Sequence, residues 1–188
     1  AAALAAGRAG ARVIIADEDF LIGGRLNAET FEVEGQSGPQ WATQSVTELN
    51  SLSNVRLMPR TSVYGSFDHG IFGAVERMTD QLLGTHGKPR QVLWRIYSKR
   101  AVLCAGATER SIAFGNNDRP GVMLAGSVRA YVNRWGVAPG KRVAVFTNND
   151  DGWRTALDLI SKGINILAVI DTRSQRPTFD LPGVKIVM

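Results

Sequence analysis

The chain opens with a helix-forming segment that is followed at once by an apolar strand ending in two acids. Residues 1–7 are rich in alanine and have high helix propensity. Residues 12–18 then read Arg-Val-Ile-Ile-Ala-Asp-Glu, a β-branched run that predicts a strand buried on both faces and therefore in a parallel sheet. Helix, glycine, buried strand and acid form the second half of a βαβ nucleotide-binding unit. We therefore expect an α/β, Rossmann-like fold, with the unit's first strand and glycine-rich turn missing from this sequence.

The middle of the chain predicts an antiparallel β insertion at about residues 55–100. Its apolar stretches alternate with turn residues, which is typical of hairpins. The predicted strands are Val55 to Tyr64, broken at Pro59, then Ile71 to Arg77 and Gln91 to Tyr97, with a turn from Gly84 to Pro89. The next apolar stretch, Ala101 to Cys104, predicts one more short buried strand that ends before Gly106.

A second βαβ-like motif follows near the end of the chain. Its predicted elements are a strand at Arg142–Thr147, a helix at Gly152–Lys162 and a strand at Ile164–Ile170. We expect a parallel sheet covered by helices here as well. The chain would then divide into a dinucleotide-binding region at residues 1–139 and the start of a second dinucleotide-binding unit at residues 140–188.

The turn of this second motif is degenerate. The positions where three glycines are expected hold Thr147, Asn149 and Gly152. Asp150 and Asp151 follow where a pyrophosphate would lie, and their charge would repel it. Asp171 keeps the position of a ribose-binding acid at the end of the next strand. We interpret this motif as a structural relic and not as a working nucleotide site.

Composition and charge exclude several classes of protein. Apolar residues make up 44% and charged residues 21%, as in globular domains, and no apolar run approaches the roughly 18 residues of a membrane span. Cys104 is the single cysteine, which excludes an internal disulfide and a multi-cysteine zinc site. The net charge of +5 is spread along the chain, so we expect either a solvated face or a surface that docks on an acidic partner subunit, and no nucleic-acid role. A cytoplasmic location is expected.

The acid pair and the glycine pair that follow the first strand are the candidate binding residues. Asp17 and Glu18 stand where an acid holds the adenosine ribose hydroxyls, and two carboxylates would repel a 2′-phosphate. This pattern favours NAD or FAD over NADP. Gly23 and Gly24 let the backbone approach a phosphate closely, and Arg25 could add positive charge there.

Residues for catalysis or metal binding are missing from the sequence pattern. His69 and His86 are the two histidines, and they show no metal-ligand spacing. No nucleophile motif of the Gly-x-Ser-x-Gly kind occurs. Cys104 lies in an apolar stretch, which is more typical of an inert core residue than of a nucleophile. We expect neither catalytic residues nor a metal site in this chain.

Several motifs resemble a known group of flavoproteins. Ala11–Glu18 followed by Gly-Gly-Arg-Leu resembles the FAD/NAD-binding region of two-dinucleotide-domain flavoproteins. Ala101–Arg110 is similar to their Ala-Thr-Gly-Ala motif with a trailing Glu-Arg, except that Ala105 stands where threonine is usual. Phe114–Met123 and the segment Val145–Gly152 resemble the alpha subunits of heterotetrameric sarcosine oxidases and their amine- and opine-oxidising relatives.

This resemblance implies a function and a set of contacts. Sarcosine oxidases convert sarcosine to glycine, with FAD in the beta subunit, FMN at the alpha–beta interface, and a tightly bound structural NAD⁺ in the alpha subunit. The complete enzyme also has gamma and delta subunits. The resemblance places Asp17, Glu18 and Asp19 around the NAD⁺ ribose, and Gly24 and Arg25 near the phosphates. It places the backbone of Val63 at the adenine.

The resemblance also implies that the chain is an internal fragment, an NAD-binding scaffold that is inactive by itself. Two alternatives stay open. The same site could hold FAD in a flavin oxidoreductase, since an acid at this position binds the ribose of either dinucleotide. The fragment could also bind no nucleotide and serve as an interaction module, because a strand without its central neighbour exposes an edge that favours self-association.

Overall fold

A computed structural model describes residues 1–80, 87–175 and 177–188 of the chain. The described residues form two compact units. The first unit comprises Ala1–Gly24 and Val33–Ala105, and the second comprises Arg25–Glu32 and Gly106–Met188. Compactness alone does not test the predicted domain division between residues 139 and 140, which stays a prediction.

The described residues form both helices and strands. The helices are α1 at Ala2–Arg8, α2 at Gly38–Ser51, α3 at Ala125–Arg129, which continues as a π-helix over Ala130–Arg134, and α4 at Asp150–Ser161. The strands are β1 at Val13–Ala16, β2 at Glu32–Val33, β3 at Gln36–Ser37, β4 at Val55–Met58, β5 at Thr61–Phe67, β6 at Ile71–Arg77, β7 at Gln91–Tyr97, β8 at Arg142–Thr147, β9 at Asn165–Asp171 and β10 at Lys185–Val187. Short 3₁₀ helices occupy Gly24–Ala28 and Asp68–Gly70. Within the described residues, no helix is long and apolar enough to cross a membrane.

The first unit contains the predicted parallel strand. β1 pairs in parallel with β4, in a register that sets Val13 opposite Val55. α1 packs on α2 and on β1, and α2 packs on β4, so the two helices cover one face of this pair. The prediction that β1 is buried on both faces is wrong, because Ile14 is 47% exposed. An unbroken apolar run shows that both faces of a strand are apolar. Both faces are buried only where helices or other elements pack on each of them.

The antiparallel insertion is confirmed. β6 is the central strand of a three-stranded sheet and pairs antiparallel with β5 and with β7. The predicted break at Pro59 separates β4 from β5, because the chain turns there from the parallel pair into the antiparallel sheet. The predicted turn from Gly84 to Pro89 lies in part outside the described residues.

The second unit contains the other predicted βαβ motif. β8, β9 and β10 form a parallel sheet in the order β10-β9-β8. α4 packs on β8 and β9, and its fully buried Trp153 and Leu159 form the core with Val169. A Cβ atom at Gly152 would lie 2.3 Å from the hydroxyl oxygen of Thr147, so helix and strand approach closely only with glycine there. The α/β fold class, with parallel sheets and an antiparallel insertion, is thereby confirmed.

The prediction of a short buried strand at Ala101 to Cys104 is wrong. These residues have no regular secondary structure, and Leu103 is 88% exposed. Cys104 is exposed as well, which contradicts its interpretation as a core cysteine. An apolar run becomes a buried strand only where neighbouring strands satisfy its backbone groups, and no strand of the described residues pairs with it.

Candidate functional site

The segment that follows β1 is held between the end of β4 and the start of β5. The backbone N–H of Asp17 donates to the carbonyl of Met58 at 3.1 Å, and the carbonyl of Asp17 accepts from the N–H of Thr61 at 2.8 Å. Both neighbours are almost fully buried, at 1% exposure each. The position of Asp17 is therefore fixed by backbone bonds to two buried residues and does not depend on its own side chain.

The three acids at this point differ in their surroundings. Asp17 is half-buried, and its Oδ1 accepts a hydrogen bond from the N–H of Asp19 at 2.9 Å. The carbonyl of Asp19 accepts from the N–H of Arg60 at 2.8 Å. The side chain of Glu18 is exposed, while its carbonyl accepts from the guanidinium of Arg77 at 2.5 Å. These bonds fix a tight turn and leave carboxylates at the carboxyl end of β1, as the sequence predicts.

A glycine pair closes this segment, which we call the acid loop (residues 17–24). Gly23 and Gly24 have φ values of 147° and 55°, a backbone conformation that side chains with a Cβ atom rarely adopt. A Cβ atom at Gly24 would have nothing within 4 Å. Glycine is therefore required here by conformation and not by crowding, and the open backbone is accessible to a ligand.

Arg25 has its own partners in the second unit. Its guanidinium donates to Glu29 at 2.7 Å and to Asp151 at 2.7 Å. The hydrogen bond to Asp151 is the main reason that the pKa of Arg25 is raised, and the bond to Glu29 contributes. A phosphate near Arg25 would have to compete with these two carboxylates. The predicted phosphate contact of Arg25 stays a prediction.

Val63 lies in β5, opposite Ala74 of β6, and is 50% exposed. The register of the pair shifts between Val63 and Gly65, so the strand is irregular at this point. Because β5 begins with the residue that bonds to Asp17, the first residues of β5 and the acid loop are neighbours within the first unit. The predicted adenine contact of Val63 stays a prediction.

A buried ion cluster in the second unit was missed by the sequence analysis. The guanidinium of Arg129, 3% exposed, bonds to Glu29, to Asp158 at 2.9 Å and to Asp151 at 3.0 Å. Thr30 donates a further hydrogen bond to Asp158 at 2.7 Å. A sequence signal was present, since Arg129 lies between apolar residues at helical spacing and Asp158 lies on the apolar face of α4.

Asp171 lies at the carboxyl end of β9 and is almost completely buried, at 1% exposure. Its carboxylate accepts from the indole N–H of Trp153 at 2.7 Å and from the guanidinium of Arg173 at 2.7 Å. The bonds from Arg173 are the main cause that lowers the pKa of Asp171 to about 2, with the Trp153 bond adding to them against the effect of burial. Internal donors therefore occupy the carboxylate that stands at the ribose position.

The first turn of α4, which follows β8 at the same edge of the sheet, is occupied in the same way. Asp150, in the first turn of α4, accepts a hydrogen bond from Arg173 at 2.8 Å. The side chain of Asn149 caps the helix by accepting from the N–H of Asp151 at 3.0 Å. The helix terminus that binds pyrophosphate in a working motif thus carries acids that already have partners.

Comparisons with known proteins point to one group. No protein-family model matches the chain. Sarcosine oxidase subunit alpha of Rhizobium meliloti (strain 1021) is 47% identical over 174 residues, 92% of this chain and 18% of that protein. Sarcosine oxidase subunit alpha of Corynebacterium sp. (strain P-1) is 42% identical over 177 residues, 93% of this chain and 18% of that protein. The chain therefore spans less than a fifth of the length of these curated relatives.

A solved structure supports the same fold. The crystal structure of L-proline dehydrogenase from P. horikoshii superposes with a TM-score of 0.71 and 26% sequence identity. The match covers 94% of this chain and 34% of that protein. The likeness extends over nearly all elements described above, so the α/β arrangement is that of a known dehydrogenase.

Proposed function

Since the chain is homologous to sarcosine oxidase alpha subunits over 92% of its length, we propose that it is part of an oxidoreductase subunit whose acid loop binds the ADP-ribose half of NAD⁺. The observation that carries this proposal is the position of the Asp17 carboxylate, directly after β1 and held by backbone bonds to Met58 and Thr61. In parallel α/β sheets, ligands bind at the carboxyl ends of the strands.

The chemistry of the acid loop fits an adenosine ribose. The two ribose hydroxyls are donors, and an ionised carboxylate accepts through both of its oxygens. Asp17 uses Oδ1 for the N–H of Asp19, which orients the carboxylate for a hydroxyl at Oδ2. Glu18 and Asp19 add negative charge beside it, which disfavours the 2′-phosphate of NADP.

The phosphate side of the proposed site rests on backbone and not on Arg25. Gly24 offers an uncluttered backbone for close approach, and Gly23 shares its positive φ. The guanidinium of Arg25 is already paired with Glu29 and Asp151, so we assign it a secondary part at most. Val63 would meet the adenine through its backbone, because its side chain carries no polar atom.

The activity of the whole protein is a further part of the proposal. By homology, the complete enzyme would oxidatively demethylate sarcosine to glycine, with FAD and FMN supplying the redox chemistry in an assembly with beta, gamma and delta subunits in the cytoplasm. NAD⁺ in this chain would be structural. The chain's own residues would bind and orient the adenosine, and we assign none of them to catalysis.

The test is nucleotide content in the natively purified enzyme. Asp17→Asn removes the charge but keeps the size of the side chain, and we expect about a tenfold or greater loss of bound NAD⁺, since hydrogen bonds to charged groups contribute roughly 1.5–3 kcal/mol. Asp68→Asn makes the same charge change at an exposed acid of the first unit and should leave nucleotide content unchanged. Released nucleotide is measured by mass spectrometry after denaturation.

The outcomes separate the three hypotheses. Loss of NAD⁺ in Asp17→Asn alone supports the proposal, and unchanged content in that variant refutes the ribose role. FAD in place of NAD⁺ in the unaltered protein would identify a flavin site. Absence of any nucleotide from the unaltered protein would favour an interaction module.

A further inference from the structure

The backbone carbonyls of the three acids in the acid loop all accept hydrogen bonds within the first unit. The carbonyls of Asp17 and Asp19 accept from the backbone N–H groups of Thr61 and Arg60, at 2.8 Å each. The carbonyl of Glu18 accepts instead from an arginine side chain of β6 at 2.5 Å. A substitution in β6 can therefore remove this one bond and leave the two backbone bonds in place.

The arginine that makes this bond is Arg77, the last residue of β6. Its guanidinium donates to the carbonyl of Glu18, and its backbone N–H donates to the carbonyl of Arg60 at 3.0 Å. Arg60 has a φ of 55°, a conformation that residues other than glycine rarely adopt. Such conformations persist only where the surrounding structure holds them, and they concentrate at ligand sites. The antiparallel insertion is thus bonded to the acid loop directly through Arg77 and indirectly through Arg60.

The peptide that joins Glu18 to Asp19 carries this contact to the proposed ribose site. The peptide is trans and planar, so its C=O and N–H groups point in opposite directions. Its C=O is bonded to Arg77, and its N–H donates to Oδ1 of Asp17 at 2.9 Å. Fixing one end of this plane fixes the other end, and with it the carboxylate. Donation from a charged guanidinium also polarises the peptide, which strengthens its N–H as a donor.

We propose that Arg77 is a positioning residue of the nucleotide site, which orients the carboxylate of Asp17 towards the ribose by holding the peptide between Glu18 and Asp19. This inference rests on the proposed function, and it assigns Arg77 no contact with the nucleotide itself. A carboxylate that is already oriented binds more tightly, because less freedom is lost when the ligand arrives. The antiparallel insertion then contributes to nucleotide binding through β6.

The test is a double-mutant cycle in the natively purified full-length protein, in which equilibrium dialysis against isotope-labelled NAD⁺ gives the dissociation constant. Arg77→Met removes the donor but keeps the apolar stem, and we expect the affinity for NAD⁺ to fall about fivefold to tenfold. In the Asp17→Ala background no carboxylate remains to be oriented, so Arg77→Met should change the affinity by less than about twofold. Equal losses in both backgrounds would show that Arg77 merely stabilises the loop and would overturn the proposal.

Two further variants sharpen the cycle. Arg95→Met is the matched control, because Arg95 is an exposed arginine of β7 in the same sheet, and it should bind NAD⁺ as tightly as the unaltered protein does. Arg77→Lys keeps a charged donor on a shorter side chain, so it should lose less affinity than Arg77→Met and none in the Asp17→Ala background. It carries the cycle alone if Arg77→Met does not fold, which circular dichroism measures. An affinity of Arg77→Lys no better than that of a folded Arg77→Met would overturn the proposal.

Failure of the proposed function gives a different result from failure of the positioning role. If the unaltered protein binds no NAD⁺, or if Asp17→Ala binds it as tightly as the unaltered protein does, the ribose role of Asp17 is refuted and the role of Arg77 falls with it. If Asp17→Ala loses affinity and Arg77→Met does not, the positioning role alone is refuted.

Discussion

Asp17 in the first unit and Asp171 in the second both stand at the carboxyl end of a parallel strand, but their carboxylates have different surroundings. Asp17 is half-buried and receives a hydrogen bond from the backbone of Asp19. Asp171 is buried and receives hydrogen bonds from Trp153 and Arg173. One position in the same motif therefore holds either an accessible acceptor or the centre of an internal ion pair.

The difference extends to the other acids of the two units. In the second unit Asp158 and Glu29 are buried and paired with Arg129, while Glu18 of the first unit is exposed. Buried charges require partners because removal from water costs several kcal/mol per ion. A sequence pattern of strand and acid thus indicates where a carboxylate lies, and the donors around it decide whether it can bind a ligand.

The largest expected effect comes from Arg129→Ala. This change leaves Glu29 and Asp158 buried without their guanidinium, and we expect the free energy of unfolding to fall by about 3–5 kcal/mol. Urea denaturation followed by circular dichroism measures it. Arg25→Ala is the matched control, since Arg25 shares Glu29 and Asp151 but its side chain is 66% exposed, and its loss should stay below about 1 kcal/mol. Equal losses of unfolding free energy in the two variants would show that burial of the guanidinium does not determine its contribution to stability.

Asp171→Asn is expected to lower the free energy of unfolding by about 3 kcal/mol. A neutral amide weakens the charge-assisted hydrogen bonds of this buried site, and its N–H₂ group would face the donors of Trp153 and Arg173. Thermal and urea denaturation measure the change. Asp180→Asn, at an exposed acid of the same unit, is the control and should change stability by less than about 0.5 kcal/mol. If both variants unfold alike, Asp171 is not the anchor of its motif.

Much of the fold could be predicted from the sequence because local patterns and tertiary contacts agree there. The strands β6 and β7 begin and end where the alternation of apolar residues predicts, since their partners are adjacent in the chain. Ala101–Cys104 fails for the complementary reason. Its apolar pattern is that of a strand, but no strand among the described residues pairs with it. The apolar pattern of a segment indicates that it could be buried, but it does not indicate whether a neighbouring strand is there to pair with it.

The site was predictable in part for similar reasons. Asp17 follows β1 directly and the glycine pair lies a few residues further on, so the local sequence indicates where both stand in the chain, whereas the bonds from Asp17 to Met58 and Thr61 are not visible in that pattern. The partners of Arg129 are 22 to 100 residues away, and no local pattern specifies such pairings. Its position between apolar helix residues indicated that a partner must exist, although not which residue it is.

Lowering the pH should remove part of the stability of the second unit. The pKa of Asp171 is lowered to about 2 from an ordinary value of 3.8, mainly by Arg173. A depressed acid stabilises the fold above its unfolded pKa, so a contribution of about 2 kcal/mol is present at neutral pH and is lost as pH falls from about 5 towards 2. Urea denaturation at a series of pH values measures it. In Asp171→Asn this part of the pH dependence should disappear, and its persistence would assign it to other acids.

The smallest expected effect is that of Asp17→Asn on stability. The new amide keeps an oxygen that accepts from the N–H of Asp19, and the backbone bonds to Met58 and Thr61 do not involve the side chain. Loss of a carboxylate beside Glu18 also relieves repulsion between like charges. We therefore expect the free energy of unfolding without nucleotide to change by less than about 0.5 kcal/mol. A loss as large as that of Asp171→Asn would show that Asp17 is an internal anchor, and the two units would then use their acids alike.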